Sequence, residues 1–499
     1  MTVDSALHRH AERQPSKAAV RTADRSITYA ELEASVTCLA RYLLDRGLRP
    51  GDRVAVHWSN SIETVQLLLA AFRAGLVAVP INLRLKVPEI AYMFEHSSAR
   101  ICFSEPALVA VAEEARRGGC PEVVSHFPAL TTGSGALPEV DPAQPAVILY
   151  TSGTTARPKG VVHTHRSLFE TTLLWASVAM DPDDTVLAVT PLMHASGLDL
   201  VLTALHQGAT AVLLRTFDPA AALDLIERFR CTYIWGLPAM LQVVVEEQAQ
   251  RPRDVSSMRT AGAAGDTVPA ALQRRFQDVF AIQLQEGYGL TESGGPVTVN
   301  PSADVRIGSI GSAFPGVTIR LVDLHGNDVG RGETGEILVR SPANCVGYWN
   351  DPAATACLFD DDWLHSGDLA SRDEDGYYWF KGRLKQIIIR GGSNISPQEV
   401  EEALYQHPAV LEAGVIGAPH PIYGEVPVAC VALRGGQTVT EEKLRAHARE
   451  LLADYKVPER IFFLAELPKG LTGKVDRRSL RDILIAQPDL LEQRVVPGV

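Results

Sequence analysis

From Gly51 onward the chain alternates short β-branched runs with amphipathic stretches. GDRVAVHW reads as a strand, IETVQLLLAAFRAG as a helix, LVAVP as a strand, PEIAYMFEH as a helix and ARICF as a strand. Strands that alternate with helices predict α/β layers built on a parallel sheet. The rhythm recurs between ATAVLLR and AIQLQ, through the helical DPAAALDLIERF and the strand-like CTYIWG, so a second α/β series follows the first. After Pro315 the texture changes. GVTIRLVD, GEILVR and GYYWF are β runs separated by Gly- and Asp-rich turns with no helix between them, which predicts a small antiparallel β unit. The last ~115 residues mix both kinds again (LKQIIIR, SPQEVEEALYQH, AVLEAGVIG, VPVACVALR, EEKLRAHARELLADY), in the size range of a small separate domain. The polar GRLK, residues 382–385, is the junction, which gives an N-terminal domain over 1–384 and a C-terminal domain over 385–499.

Length and composition agree with this division. A chain of 499 residues is too long for one ordinary core, and 46% hydrophobic with 21% charged residues is the balance of a globular protein. No fixed-period repeat or low-complexity tract argues for a solenoid or a tail-driven binder. A net charge of −12 argues against broad nucleic-acid binding, although an acidic protein can still hold anionic ligands through a few local cations and backbone N–H groups. The start, MTVDSALHRHAERQPS, has no apolar run of signal-peptide length, and no stretch approaches the roughly 20 apolar residues of a membrane span. A cytoplasmic location is expected. The seven cysteines, at 38, 102, 120, 231, 345, 357 and 430, form no CxxC pair and no ligand set with histidine, so they are expected to be reduced and structural.

The strongest chemical signal is YTSGTTARPKG, residues 150–160, directly after the strand run AVILY. The hydroxyls of Thr151, Ser152, Thr154 and Thr155 and the backbone at Gly153 can surround phosphate oxygens, while Lys159 can neutralise charge. It is not a Walker A loop, because Lys159 follows Pro158 and precedes Gly160 instead of standing in GK[ST]. The plain alternative is a polar turn leading into the helix of HRSLFETTLLWASVAM.

YTSGTTARPKG closely resembles the phosphate-binding signature of the adenylate-forming superfamily. That superfamily includes acyl-CoA synthetases, aryl-CoA ligases, peptide-synthetase adenylation domains and firefly luciferase. Ala156 departs from the pattern, which usually has glycine there. Matching segments follow in the family's order as far as residue 478. PLMHASG, residues 191–197, resembles the segment whose histidine, here His194, lies between the acyl site and the pantetheine tunnel. AGAAGD, residues 261–266, resembles the loop against adenine and brings in Gly262 and Ala263. In EGYGLTES, residues 286–293, the resemblance implies that Tyr288 stacks on adenine, Thr291 bonds the α-phosphate and Glu292 holds Mg²⁺. HSGDLA supplies Asp368 for the ribose hydroxyls, and GRLKQIIIRGGSNISPQEVE supplies Arg383 facing the nucleotide, Lys385 as the pivot, and Gly391 and Gly392 beside the CoA tunnel. PKGLTGKVDRR supplies Lys474, which resembles the lysine of the mobile domain that contacts carboxylate and phosphate during adenylation.

The resemblance therefore implies an α/β fold: a large N-terminal domain of two α/β layered subdomains plus a small β-barrel-like unit, and a small mobile α+β C-terminal domain. It implies an AMP-forming carboxylate–CoA ligase using ATP, Mg²⁺ and coenzyme A, with a homodimer as a possible assembly. Trp235, Ala261, Gly287, Gly294 and Gly295 are expected around the acyl pocket, with His194, Ala195 and Ser196 at its mouth. Small residues at 294 and 295 are expected to leave space, and no basic side chain is evident to pair a second carboxylate, so a hydrophobic acid is expected, either a medium-to-long fatty acid or an aryl acid. Asp199, one helical turn past Ala195, reads as a helix-surface or helix-start residue, with contact to a polar substituent as the alternative. The competing functions are an acyl-AMP ligase that loads a separate carrier protein and a non-catalytic nucleotide-binding protein. A kinase or ATPase lacks its signatures here, and no GxSxG elbow or Cys–His pair suggests a side-chain nucleophile.

Overall fold

The computed structural model describes residues 2–116, 119–128, 135–151, 157–177, 180–391, 393–470 and 474–485. They form two compact units. The first holds residues up to 268, 272–319 and 338–366, and the second holds 269–271, 320–337 and the chain from 367 on. Among the described residues no helix is long and apolar enough to cross a membrane.

The first unit contains both predicted α/β series, each as its own sheet. One has six strands in the order Glu122–Val124, Ile101–Ser104, Arg53–His57, Val77–Pro80, Pro145–Thr151 and Lys159–Thr164. It is parallel apart from its last pair, where Lys159–Thr164 turns back antiparallel. The other has nine, in the order Ser312–Ala313, Gly295–Val299, Leu284–Leu290, Thr260–Ala264, Tyr233–Gly236, Thr185–Ala188, Thr210–Leu213, Ala18–Arg21 and Ser26–Thr28. Its central run, from Leu284–Leu290 to Ala18–Arg21, is parallel throughout, and its outer strands are antiparallel. Val77–Pro80, Ile101–Ser104, Thr210–Leu213 and Tyr233–Gly236 are buried at every position. That is why these runs are continuously apolar: a parallel sheet covered on both faces has no solvent side to alternate with.

The helices start where their sequences provide caps. Ser61 accepts from the Thr64 N–H at 3.2 Å to open Ile62–Arg73, and Asp218 accepts from Ala221 N–H at 2.8 Å to open Pro219–Phe229. Ile62–Arg73 and Ala195–Gln207 are buried on nearly all faces, as helices inside a layered core must be. The two sheets are tied by Asn60, which follows the strand Arg53–His57 and is 5% exposed. Its Nδ2 donates to the carbonyls of Thr190 at 3.1 Å and Leu214 at 3.2 Å, and its Oδ1 accepts from Leu192 N–H at 2.8 Å. Thr190 and Leu214 lie just beyond the strands Thr185–Ala188 and Thr210–Leu213 of the other sheet.

The predicted small β unit is a five-stranded sheet of Thr318–Val322, Thr334–Arg340, Trp363–Arg372 and Phe359–Asp360 in order, with Tyr378–Arg383 also paired to Trp363–Arg372. In the second unit, Ser393–Ile395, Ile388–Arg390, Gly424–Leu433 and Val410–His420 pair antiparallel, and Arg460–Leu464 adds parallel to Gly424–Leu433. The run LKQIIIR divides into a 3₁₀ turn at Leu384–Gln386 and the strand Ile388–Arg390. Helices Pro397–Tyr405 and Arg477–Ile485 are joined through Glu401, whose carboxylate takes Arg477 Nη2 at 2.6 and 2.8 Å and also accepts the Val415 N–H at 2.7 Å.

Truncation at Asn60 strands two carbonyls and one N–H in the core, at about 1–3 kcal/mol for each buried group left without a partner. Asn60→Ala should therefore lower stability by about 2–4 kcal/mol, read as a fall in the denaturation midpoint. A midpoint equal to wild type would show that Asn60 does not fasten the two sheets.

Candidate active site

The polar half of the site in the first unit is organised by the strand Lys159–Thr164. Thr151 and Lys159 stand opposite each other where this strand pairs with Pro145–Thr151, at the two ends of the phosphate-loop motif. Ser152, Gly153, Thr154 and Thr155, together with Ala156, lie outside the described residues. On its other edge the strand receives the chain around residue 347: Val162 N–H bonds Gly347 O at 2.9 Å, and Trp349 N–H bonds Gly160 O at 2.7 Å. This brings in Tyr348. Its ring lies 4.5 Å from Lys159 Nζ, and its hydroxyl donates to Glu292 Oε1 at 2.9 Å. Burial, with the Glu292 carboxylate beside it, pushes the phenol's pKa well up, so Tyr348 keeps its proton and donates it.

Thr291 and Glu292 sit on the one-turn 3₁₀ segment Thr291–Ser293 that ends the strand Leu284–Leu290. Two bonds secure that turn: Cys345 N–H to Glu292 O at 2.8 Å, and His163 Nε2 to Thr291 O at 2.7 Å. A carbonyl only accepts, so Nε2 carries the proton, and Nδ1 faces Ser167 Oγ at 3.2 Å. Burial holds His163 down to about 4, so the ring is neutral at physiological pH and acts as a fixed donor. Tyr348 and His163 were missed from sequence. His163, a polar ring in the middle of the buried run GVVHTH, is the signal that could have found one of them.

The apolar half lies along three neighbouring parallel strands. Trp235 pairs in register with Gly262, and Ala264 with Gly287. A Cβ on Gly262 would stand 2.0 Å from the Trp235 ring, and one on Gly287 would stand 3.0 Å from it, so the indole lies against backbone that carries no side chains. Ala261 and Ala263 are fully buried beside it, and Tyr288 is half-buried one residue past Gly287. Trp175 meets Trp235 edge-on with centroids 4.9 Å apart, and Phe314 meets Trp175 at 5.8 Å.

The expectation that Gly294 and Gly295 leave open space is overturned. Both have positive φ, +67° and +89°. A Cβ at 294 would stand 2.2 Å from Ala343 O, and one at 295 would stand 2.8 Å from Asp199 Oδ2. Glycine is needed there for backbone conformation and close packing. The reading of Asp199 as a helix-surface or helix-start residue is also overturned. It is 2% exposed, because Ala195–Gln207 is a helix buried between layers and has no solvent face at that position. With no compensating charge among the described residues, burial pushes its carboxyl up to about 8.

His194 is the N-cap of that helix and does not bond its backbone with the side chain. Asn82 Oδ1 accepts from Arg84 N–H, so Asn82 Nδ2 faces His194 Nε2, 3.3 Å away, and that ring nitrogen accepts. Ala195 is half-buried and Ser196 exposed at the open end of the helix. Gly197 allows the chain to pass close: a Cβ there would be 2.3 Å from Pro191 O.

In the second unit, Asp368 and Arg383 stand opposite each other on paired antiparallel strands, with Arg383 Nε 3.3 Å from Asp368 Oδ1. Asp368 is buried and Arg383 half-exposed, so the guanidinium can neutralise the carboxylate and still reach solvent. Lys385 lies exposed in the 3₁₀ turn Leu384–Gln386. Gly391, with φ +55°, donates its N–H to Tyr423 O at 2.8 Å, and Gly392 lies outside the described residues. The carbonyl of Lys474 accepts from Gly470 N–H at 2.7 Å.

The first unit therefore carries a polar cluster of Lys159, Tyr348 and Glu292 and a buried aromatic cluster of Trp175, Trp235 and Phe314. The chain belongs to the AMP-binding enzyme family: the family's AMP-binding enzyme model matches residues 7–349, and its C-terminal domain model matches residues 399–474. It is 37% identical to a feruloyl-CoA synthase of Amycolatopsis sp over 95% of this chain and 97% of that protein. It is 34% identical to a fatty acid–[acyl-carrier-protein] ligase of Streptomyces coeruleorubidus, over 95% of this chain and 94% of that one. Among solved structures, an anthranilate CoA ligase in complex with anthranoyl-AMP superposes with a TM-score of 0.92 at 29% identity, covering 97% of this chain and 98% of the other. The chain has the α/β fold of the adenylate-forming enzymes.

The raised Asp199 pKa has a definite sign. The folded state holds its proton between about pH 4 and 8 while the unfolded state has lost it, so the contribution of this residue is complete below about 4 and falls as pH rises through 8. Asp199→Asn removes that titration. Its stability advantage over wild type should be smallest near pH 4 and grow toward pH 8, by up to about 1.4 kcal/mol per pH unit, as followed by thermal denaturation. Parallel melting curves across this range would contradict the buried, unpaired carboxyl.

Proposed function

We propose that the chain is an AMP-forming carboxylate–CoA ligase that activates a hydrophobic acid, with an aryl acid favoured over a medium-to-long fatty acid. The observation that supports the aryl preference is the aromatic cluster in which Trp235 lies against the backbone at Gly262 and Gly287, Trp175 meets it edge-on and Phe314 meets Trp175, a geometry that suits another ring. No basic side chain stands among these neighbours to hold a second carboxylate. ATP and CoA as co-substrates fit a cytoplasmic enzyme.

A free carboxylate has a poor leaving group, so direct thioester formation is uphill. Attack of the carboxylate on the α-phosphorus of ATP expels pyrophosphate and leaves a good leaving group, AMP, on the acyl carbon. Negative charge that spreads over the phosphoryl oxygens needs donors and cations in place beforehand. Thr151 and the 152–155 segment, Lys159 and Thr291 supply them in the first unit. Tyr288, Gly262 and Ala263 would border the adenine. Glu292 fits a Mg²⁺ ligand: Tyr348 uses only Oε1, and Oε2 has no hydrogen bond among the described residues. Mg²⁺ held there would neutralise phosphate charge. The thiol of CoA then attacks the acyl carbon and releases AMP, which needs no protein nucleophile.

On this reading Asp368 would accept the ribose hydroxyls, with Arg383 beside it, and Lys474 would face the reacting carboxylate in the first step. Rotation about Lys385, at a domain border between 384 and 385, would exchange Lys474 for the Gly391–Gly392 loop beside the pantetheine in the second, with His194 between acyl group and thiol. The exposed 3₁₀ turn at Leu384–Gln386 is the kind of short terminal segment that can absorb such a change. Transfer to a carrier protein is the second reading, favoured by the 34% identical carrier-protein ligase.

Pyrophosphate release over a panel of carboxylic acids, with and without CoA, tests the assignment. Acyl-CoA and AMP should form in equal amounts, whereas acyl adenylate that persists at saturating CoA but is discharged by a carrier protein would favour the second reading. Lys474→Ala should slow adenylation about 10²–10³-fold and leave thioester formation from preformed acyl adenylate nearly intact. Equal loss of both half-reactions in the folded variant would count against domain rotation.

A further inference from the structure

Lys159 and Glu292 carry opposite charges, are both half-buried and share a neighbour, yet no ion pair joins them among the described residues. An ammonium on a flexible four-carbon stem and a carboxylate at a half-buried site ordinarily pair, because water and salt screen them less there. Tyr348 takes both charges in place of that pair. Lys159 Nζ lies over the ring face, 4.5 Å from its centre, and Glu292 Oε1 accepts from the hydroxyl at 2.9 Å. The face of a phenol attracts a cation and its hydroxyl attracts an anion, so one side chain satisfies both without letting them meet.

The backbone around the ring fixes its place. Val346 N–H bonds Val162 O at 3.0 Å and Trp349 N–H bonds Gly160 O at 2.7 Å, which lays residues 346–349 along the strand that starts at Lys159. One residue earlier, Cys345 N–H bonds Glu292 O at 2.8 Å. The segment 345–349 therefore clasps the strand Lys159–Thr164 of one sheet and the turn Thr291–Ser293 that follows a strand of the other. Tyr348 N–H donates to Thr355 Oγ1 at 2.9 Å, and that hydroxyl donates to Asp351 O at 2.8 Å. Gly347, with φ +127°, passes so close to Thr355 that a Cβ would stand 2.4 Å from its Cγ2. Support of this kind behind a side chain confines it to one position.

We propose that Tyr348 is a positioning residue that keeps Lys159 and Glu292 apart, so that both stay ready for ATP and its divalent cation. This rests on the reading above of Lys159 as a phosphate-binding cation and Glu292 as the metal ligand, and adds a residue that acts through both. With the ring in place the ammonium is presented to phosphate and Oε2 to the cation, and neither has to be released from the other first. Groups held ready in this way spend less binding energy on rearrangement. Loss of the hydroxyl alone frees the carboxylate to turn and disturbs the ligand offered to the cation. Loss of the whole ring lets Lys159 fall onto Glu292, and phosphate must then compete with an internal ion pair.

The test measures ATP binding by calorimetry with no acid present, first in EDTA and then over a range of Mg²⁺ concentrations. Tyr348→Phe keeps the ring, so its affinity for metal-free ATP should stay within about 2-fold of wild type. The Mg²⁺ concentration that gives half of the gain in affinity should rise about 10-fold in the same variant. Tyr348→Leu should in addition weaken metal-free ATP by at least about 5-fold. Adding Glu292→Gln to Tyr348→Leu should restore that loss, because a neutral amide does not capture the ammonium, whereas a general structural defect would remain. Tyr348→Phe with the Mg²⁺ dependence of wild type overturns the inference, and decides it even where Tyr348→Leu does not fold, since only one oxygen is removed. A folded double variant that binds metal-free ATP no better than Tyr348→Leu overturns it as well. Where Lys159→Ala and Glu292→Gln alone leave ATP binding unchanged with and without Mg²⁺, the nucleotide-site reading fails and this inference with it. Where those two weaken binding and the Tyr348 variants do not, this inference alone fails.

Discussion

The amide of Asn60 is the point on which the first unit depends. Three hydrogen bonds from one buried side chain hold the ends of strands from the two sheets at a common edge. Two of those bonds go to Thr190 and Leu192, and residues 191–197 follow immediately with the turn into His194 and its helix. Fixing that turn fixes the helix axis, and the axis sets where Asp199 lies relative to Gly295. Gly197 completes the constraint, since the chain there passes too close to Pro191 O for any side chain. A parallel sheet delivers its loops to one end; the amide makes the ends of two sheets serve one site.

Absence of side chains does as much as their presence. Trp235 is a large ring in a core of short strands, and it fits because the neighbouring strands carry Gly262 and Gly287 where its ring rests. The same economy operates at Gly294 and Gly295, where positive φ turns the chain from the 3₁₀ segment back into the strand Gly295–Val299. Each glycine costs conformational entropy on folding, and each is tolerated because backbone or indole takes the space it leaves.

The sequence was legible where information is local. Alternating strand and helix runs, helix caps at Ser61 and Asp218, and the compact Thr/Ser/Gly phosphate motif each depend on neighbours along the chain, and the two α/β series formed as expected. The division of LKQIIIR at Leu384–Gln386 and the burial of Asp199 depend on what tertiary packing brings alongside, which one-dimensional patterning does not encode. Tyr348 is 56 residues from the Glu292 carboxylate it bonds, and His163 is 128 from Thr291. Nothing in GYWN or VVHTH identifies those partners; only the edge pairing of Lys159–Thr164 with the chain near 347 does. The glycines at 294 and 295 illustrate the opposite error, since a small residue reads as space until its φ and its neighbours are known.

The strand Leu284–Leu290 and the turn after it connect two unlike environments. At Glu292 a carboxylate accepts the hydrogen bond of a phenol, with a lysine over the same ring. At Asp199, reached through Gly295, a carboxyl is surrounded by indole edges and glycine backbone, so ionisation is opposed. A sequence selected for stability alone would place leucine or methionine at 199, at no loss to the packing of Ala195–Gln207. Local violations of the rule that buried polar atoms find partners concentrate where a fold gives up stability for function. The unmet oxygen of Asp199, with the unmet indole nitrogen of Trp175 near the same point of the chain, is such a violation.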